Sequence, residues 1–475
     1  MNPLQLSMEE YRDAYQRITD LALQLISEMR KRPTFPNIAG KQSMERFAHR
    51  LLEEGMGIAA LDILPDVIDA SRLPSPRFFG YVLGSGEPIA AAGDLLASVL
   101  NQNATAWRSG PAAAVIEQQV VAWLAEAVGC EGYTGCLTGG GSAANLMALA
   151  MAREFRMPAN DTGVSSRGTV YACEEVHMSI PKAIALLGIG RQNLRLIPCD
   201  GEFRMRIDLL REAIESDNRE GKPALAVIAT AGTVATGSID PLIELAALAR
   251  ECGAWFHVDG AFGALAAIAR PELFEGLALA DSIVLDPHKW LYQPLDCGCL
   301  LYRDRAVARN TFSFTGDYAK SLLEDPLESF AYFEETLELS RRFRALKLWL
   351  SMRYHGLKAF RQQIENDLEC ASHLVKCIKA SDELQLLAPA PLSAVCFRFV
   401  PREVALSEDK LDELNLKILT LVQRGGRVYI SNATIASRFA LRACIVNHRT
   451  TPSDVEAVVD AVNQAGRELL SGVQT

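Results

Sequence analysis

"SIVLDPHKWLYQ", Ser282 to Gln293, opens as an apolar run and closes on a cation. Ile283, Val284 and Leu285 read as a short buried strand, and Asp286-Pro287 ends it. His288, Lys289 and Trp290 follow at once. Burying an ammonium group is costly unless it is paired or neutralised. A lysine between two aromatic rings at such a strand end either reaches solvent or is kept for the chemistry of a neutral amine.

The same pattern recurs on both sides of this stretch. "GTVYAC" (168–173), "NLRLIPC" (193–199), "ALAVIAT" (224–230), "AWFHVD" (254–259) and "CGCLLYR" (297–303) read as strands, separated by amphipathic segments such as "IDPLIELAALARECG". Short β-rich runs alternating with helical patterns predict an α/β fold, with a mainly parallel central sheet and helices on both faces. A long helix, "SRRFRALKLWLSMRYHG", leads out of this region. Beyond it "AVCFRFV" (394–400) and "FALRACIV" (439–446) are strand candidates among helices, as in a smaller α+β domain. At the other end, Ser7 and Glu10 form a capping box for a first helix. Tyr11, Tyr15, Ile18, Ala22, Leu25 and Met29 make an apolar stripe along it, which must cover either its own domain or a partner subunit. The expected division is a helical segment over 1–75, a large domain over 76–350 and a small α+β domain over 351–475.

Composition narrows the function. The 475 residues are 49% hydrophobic and 22% charged, with a net charge of −10 and no basic stripe, which speaks against a nucleic-acid partner. No apolar run approaches the roughly 20 residues of a membrane span. Acids at Glu9, Glu10 and Asp13, without an apolar stretch, do not read as a secretory signal. Eleven cysteines, scattered mostly singly, do not read as a disulfide framework, and Cys297 and Cys299 lack a second pair at zinc spacing. The expectation is a cytoplasmic protein without a metal site.

In an open α/β sheet, ligands bind beyond the carboxyl ends of the strands. Four functional groups fall there: Thr230 closes one strand, Asp259 closes the next, Lys289 lies just past a third and His177 follows a fourth. "LTGGGSAANLMALAMAREF" adds Gly139, Gly140, Gly141 and Ser142 before a helix, where free N–H groups and a positive dipole end suit an anion. One cofactor accounts for the set. Pyridoxal 5′-phosphate needs a lysine for its aldehyde, an acid for its ring nitrogen and a cradle for its phosphate. Lys289 would supply the amine and Asp259 the acid. His177 would stack on the ring, with the small Ala261 under its other face.

"DPHKW", "HVDGAFG", "YACEEVHMSIPKA", "LTGGGSAANLMAL" and "SRRFRALKLW" together resemble the group II pyridoxal-phosphate-dependent amino-acid decarboxylases, from about Pro76 to about Arg449. The resemblance implies a PLP-dependent transferase fold of the aspartate-aminotransferase type, assembled as a homodimer. It implies loss of the α-carboxylate of an L-amino acid as CO2, with an aromatic amino acid as substrate. The alternatives are a small acidic amino acid or a decarboxylation-dependent aldehyde synthase. It assigns Lys289 to the Schiff base, with His288 near the phosphate, Gly141 and Ser142 on the phosphate, and Thr230 on the ring oxygen or orienting His177. Tyr318, in "FSFTGDYAKS", is the implied proton donor, and Arg442 a position near which acidic substrates are held. Asp286 stands where many relatives carry Asn, Gly260 replaces a common Ala, and Asn103 and Thr105 are polar where aromatic-substrate relatives tend to be apolar.

Overall fold

The computed structural model describes residues 4–36, 38–164, 168–314 and 325–471. The large sheet has seven strands: β1 (Thr134–Thr138), β2 (Thr169–Cys173), β3 (Leu194–Ile197), β4 (Ala224–Thr230), β5 (Trp255–Asp259), β6 (Ser282–Leu285) and β7 (Gly298–Tyr302). Their spatial order is β1-β7-β6-β5-β4-β2-β3. The pairs β2–β3, β2–β4, β4–β5 and β5–β6 are parallel, and β7 runs antiparallel to both β6 and β1. The fold is therefore the expected α/β architecture with a mostly parallel central sheet.

Both faces of the sheet are covered, which is why its strands are near-continuous apolar runs. Tyr171 and Cys173 join one core, with Val227, Val258 and Leu301, while Val170 and Ala172 join the other, with Ile228, Val284 and Leu300. Each strand thus feeds two cores at period two.

The small sheet is antiparallel, ordered β10-β11-β9-β8, from β8 (Leu384–Leu386), β9 (Ala394–Phe399), β10 (Ser431–Ile435) and β11 (Arg438–Cys444). The helix Ala345–Ala380 links the two sheets. Its first part packs into the large core through Leu346, Leu348 and Met352, and its last part into the small one through Cys370, Leu374 and Ile378. Gly356, at φ 73° and ψ 157°, interrupts it.

Residues 340–344, expected inside this helix, precede it. Arg341 is buried instead against Glu117, and donates to the carbonyls of Ala104 and Leu137. Glu117 also accepts the N–H of Leu137 at 2.8 Å. The pair thereby holds both polar backbone groups of Leu137 on the outer edge of β1, immediately before the glycine turn.

The helix Met8–Glu28 has the expected capping box at Ser7 and Glu10, and buries none of its residues. Tyr15, Ile18, Leu23 and Ile26 are exposed on it. No helix among the described residues is long and apolar enough to cross a membrane.

Candidate active site

Parallel strands deliver their carboxyl ends to one edge, and the predicted residues gather there. Thr230 and Asp259 are register partners at the ends of β4 and β5. Lys289 sits in the short helix Pro287–Trp290 after β6, and His177 follows β2. A cavity of ≈ 270 Å³ is lined by Gly141, Ser142, His177, Thr230, Asp259, Ala261, His288 and Lys289 together. Larger hollows elsewhere, such as the ≈ 550 Å³ one between Glu202 and Pro391, hold no comparable set of groups.

β1 delivers the chain to a turn in which Gly140 has φ +127°, a conformation that side chains disfavour. Gly298 of β7 packs against it so closely that a Cβ there would meet the Gly140 backbone at 2.5 Å. The helix Gly141–Arg156 then starts with no side-chain cap. Its first N–H groups remain free to bind an anion.

Asp259 is buried and accepts from Asn145 Nδ2 at 2.9 Å and from the Ala261 N–H at 3.2 Å. His177 Nδ1 lies 2.8 Å from the Ser179 hydroxyl. Burial holds the His177 pKa below its usual value, which favours the neutral ring. Ser179, rather than Thr230, orients this histidine, and the buried Thr230 hydroxyl has no partner among the described residues. His288 donates from Nδ1 to the Cys297 carbonyl at 2.7 Å. Lys289 Nζ pairs with Asp286 Oδ2 at 2.9 Å, while Asp286 Oδ1 is buried without a partner among the described residues.

Arg442, on β11, stands behind the cavity wall. It donates from Nη1 to the carbonyl of Val234, which lines the cavity, and from Nε to Ser431 Oγ at 3.2 Å. Tyr318 lies outside the described residues. Among the described residues, no group of three or more His, Cys, Asp and Glu is placed to hold a metal ion.

Sequence reasoning missed Asn145 and Ser179. The signal available was an amide inside an otherwise Ala/Leu/Met helix face, and a serine two residues past His177. The arrangement fits pyridoxal phosphate. It offers an uncapped helix start for a phosphate, a held carboxylate for a ring nitrogen, an amine for an aldehyde and an unpartnered hydroxyl.

Comparison with known proteins agrees with this chemistry. The family model described as "Pyridoxal-dependent decarboxylase conserved domain" matches residues 63–400. An aromatic-L-amino-acid decarboxylase of Bacillus atrophaeus is 31% identical over 475 residues, covering 98% of this chain and 97% of its own. A tryptophan decarboxylase of Camptotheca acuminata is 32% identical over 423 residues, covering 86% of this chain and 84% of its own. The crystal structure of Catharanthus roseus tryptophan decarboxylase in complex with L-tryptophan superposes with a TM-score of 0.88 at 26% identity, covering 99% of this chain and 100% of the other.

Proposed function

The chain belongs to the pyridoxal-dependent decarboxylase family, and from that premise we propose that it converts an aromatic L-amino acid to the corresponding amine and CO2. The enzyme is a PLP-dependent amino-acid decarboxylase. The aromatic substrate is our reading, supported by relatives that are aromatic-amino-acid and tryptophan decarboxylases. The observation that carries the chemistry is the meeting of Lys289, Asp259, His177, Thr230 and the uncapped start of the Gly141–Arg156 helix around one cavity.

Pyridoxal phosphate, when bound, supplies an aldehyde for Lys289 and a ring that takes up the electron pair left by the departing carboxylate. The protein does the rest. Gly141, Ser142 and the helix N-terminus bind the phosphate, with His288 beside them. Asp259 keeps a proton on the ring nitrogen, and His177 and Ala261 cover the two ring faces and exclude water. Thr230 offers its hydroxyl to the ring oxygen. Tyr318 is proposed to deliver the proton to the carbon that lost CO2, while Arg442, expected near an acidic substrate, instead braces the cavity wall through the Val234 carbonyl. A retained His177 favours amine over aldehyde as the product.

A homodimer is proposed as well, since the Met8–Glu28 helix carries an apolar stripe whose Tyr15 and Ile18 stay exposed among the described residues. Eleven free cysteines suit the cytoplasm, where thiols stay reduced.

The purified, cofactor-loaded protein should be screened against the twenty amino acids plus DOPA, diaminobutyrate and cysteine sulfinate. CO2, amine and aldehyde would each be measured. We expect CO2 and amine in equal amounts from tryptophan, tyrosine, phenylalanine or DOPA. Turnover confined to acidic substrates, or aldehyde as the main product, would overturn the reading.

A further inference from the structure

Asp259 is one end of a line of buried hydrogen bonds that crosses two strands and a helix. Trp255, His257 and Asp259 lie at alternate positions of β5 and so share a face. Trp255 Nε1 donates to Ser282 Oγ at 2.8 Å, and Ser282 is the register partner of His257 on β6. Ser282 Oγ and His257 Nδ1 are 2.8 Å apart, and His257 Nε2 and Asn145 Oδ1 are 2.9 Å apart. Asn145 Nδ2 then donates twice, to Asp259 Oδ2 and to Ser179 Oγ, each at 2.9 Å. Ser179 reaches His177 Nδ1 with its hydroxyl at 2.8 Å and with its own N–H at 3.3 Å.

The two ends set the direction of the line. An indole N–H can only donate, and a carboxylate can only accept. The carboxylate of Asp259 takes the Asn145 nitrogen, so the Asn145 oxygen faces His257 and His257 must donate to it from Nε2. A neutral His257 then accepts at Nδ1 from the Ser282 hydroxyl, whose oxygen accepts the Trp255 N–H. At the branch, His177 Nδ1 receives two donors, so its proton sits on Nε2. Every link is buried, except that His177 is half-buried. Burial lowers the pKa of both histidines, and the neutral rings this line requires follow.

We propose that Asn145 is a positioning residue for decarboxylation: locked by the Trp255–Ser282–His257 line, its amide holds Asp259 as an acceptor and holds His177 in its Nε2-protonated form. A single side chain thereby sets the residue under the cofactor's ring nitrogen and the residue over its face. The proposal rests on the reading that Asp259 meets that nitrogen and His177 that face.

The test acts at Ser282, which does not line the cavity. Ser282→Ala removes the proton donor to His257 Nδ1. The histidine then loses the partner that fixes its tautomer, and the Asn145 amide is held to Asp259 less firmly. Cofactor affinity would be measured by equilibrium titration, and the pH dependence of the bound cofactor's visible absorbance on the holoenzyme. We expect Kd to rise about tenfold, kcat to fall about tenfold with little change in KM, and the absorbance titration to move. Ser282→Thr, which keeps the hydroxyl, should restore all three. Trp255→Phe, which removes the N–H together with part of the buried indole ring, should give a smaller effect of the same kind.

Asp259→Asn is run in parallel. If it loses turnover while Ser282→Ala and Trp255→Phe keep wild-type Kd, kcat and absorbance titration, the positioning role is overturned and the functional reading stands. If Asp259→Asn is itself unchanged, the reading fails and the proposal with it. Should Ser282→Ala not fold, Trp255→Phe alone decides.

Discussion

Lys289 Nζ lies 2.9 Å from Oδ2 of Asp286, three residues earlier, with the two side chains 15% and 3% exposed. The lysine that ends a buried strand is thus neither bare nor in open solvent: a carboxylate holds it at the cavity wall. The same carboxylate crowds the anion cradle, since Oδ2 is 3.0 Å from where a Cβ on Gly141 would stand.

Asp286→Asn takes a negative charge away from the proposed phosphate position. Cofactor affinity should rise about fivefold, worth ~1 kcal/mol for one charge at this range and screening. Added salt should shrink the gain. Titration of cofactor-free enzyme at low and high ionic strength checks both statements, and a weaker complex would contradict them.

Glu117 and Arg341 form a fully buried pair that fastens β1 ahead of the glycine turn. Removing one partner of such a pair leaves an uncompensated charge and costs about 3–5 kcal/mol. Glu117→Gln should therefore lower the urea midpoint markedly. It should also weaken cofactor binding, because the cradle begins two residues after Leu137.

Asp367 is fully buried, and burial raises its pKa to about 7 despite hydrogen bonds from Tyr292, Gln363 and the Asn447 N–H. An unfolded aspartate titrates near about 4. Between those values the folded protein binds more protons than the unfolded chain, so stability falls as pH rises, by at most about 1.4 kcal/mol per pH unit from this group. The contribution is fully present below about 4 and lost above about 7. Asp367→Asn should flatten that part of the profile of melting temperature against pH, and an unchanged slope would contradict the assignment.

Tyr15 and Ile18, neighbours on the apolar stripe, are 42% and 45% exposed on the Met8–Glu28 helix. If that stripe is a subunit interface, Tyr15→Asp with Ile18→Asp should shift the protein from dimer to monomer in sedimentation velocity. The melting temperature of the remaining fold should change little, since neither side chain is buried in its own chain. A monomeric, fully active wild type would remove the dimer from the account.

Much of this architecture is legible without coordinates, for a physical reason. β2, β4, β5 and β6 are covered on both faces, so each appears as an unbroken apolar run whose last residue marks the ligand edge. Thr230, Asp259 and Lys289 could be placed that way. β1 could not. Its Gly135 has no side chain because the Leu300 carbonyl would lie 2.0 Å from a Cβ, and that glycine weakens the strand signal. β10 escaped because it alternates buried Ser431 and Ile435 with partly exposed residues between them. Arg341 and Arg344 read as helix formers, yet are engaged with Glu117 on one side and Asp296 and Glu338 on the other. Asn145 and Ser179 carry only a faint local signature, because their roles arise from contacts with Asp259, His257 and His177 that the chain makes on folding.

Covalent attachment of pyridoxal phosphate to Lys289 is the central claim, and one measurement addresses it directly. The cofactor-loaded protein is reduced with borohydride, digested and mapped by mass spectrometry. The account predicts one pyridoxyl-modified peptide, containing Asp286 to Trp290, with the modification on Lys289. Stoichiometric label on any other lysine, or a visible spectrum that borohydride leaves unchanged, would contradict it.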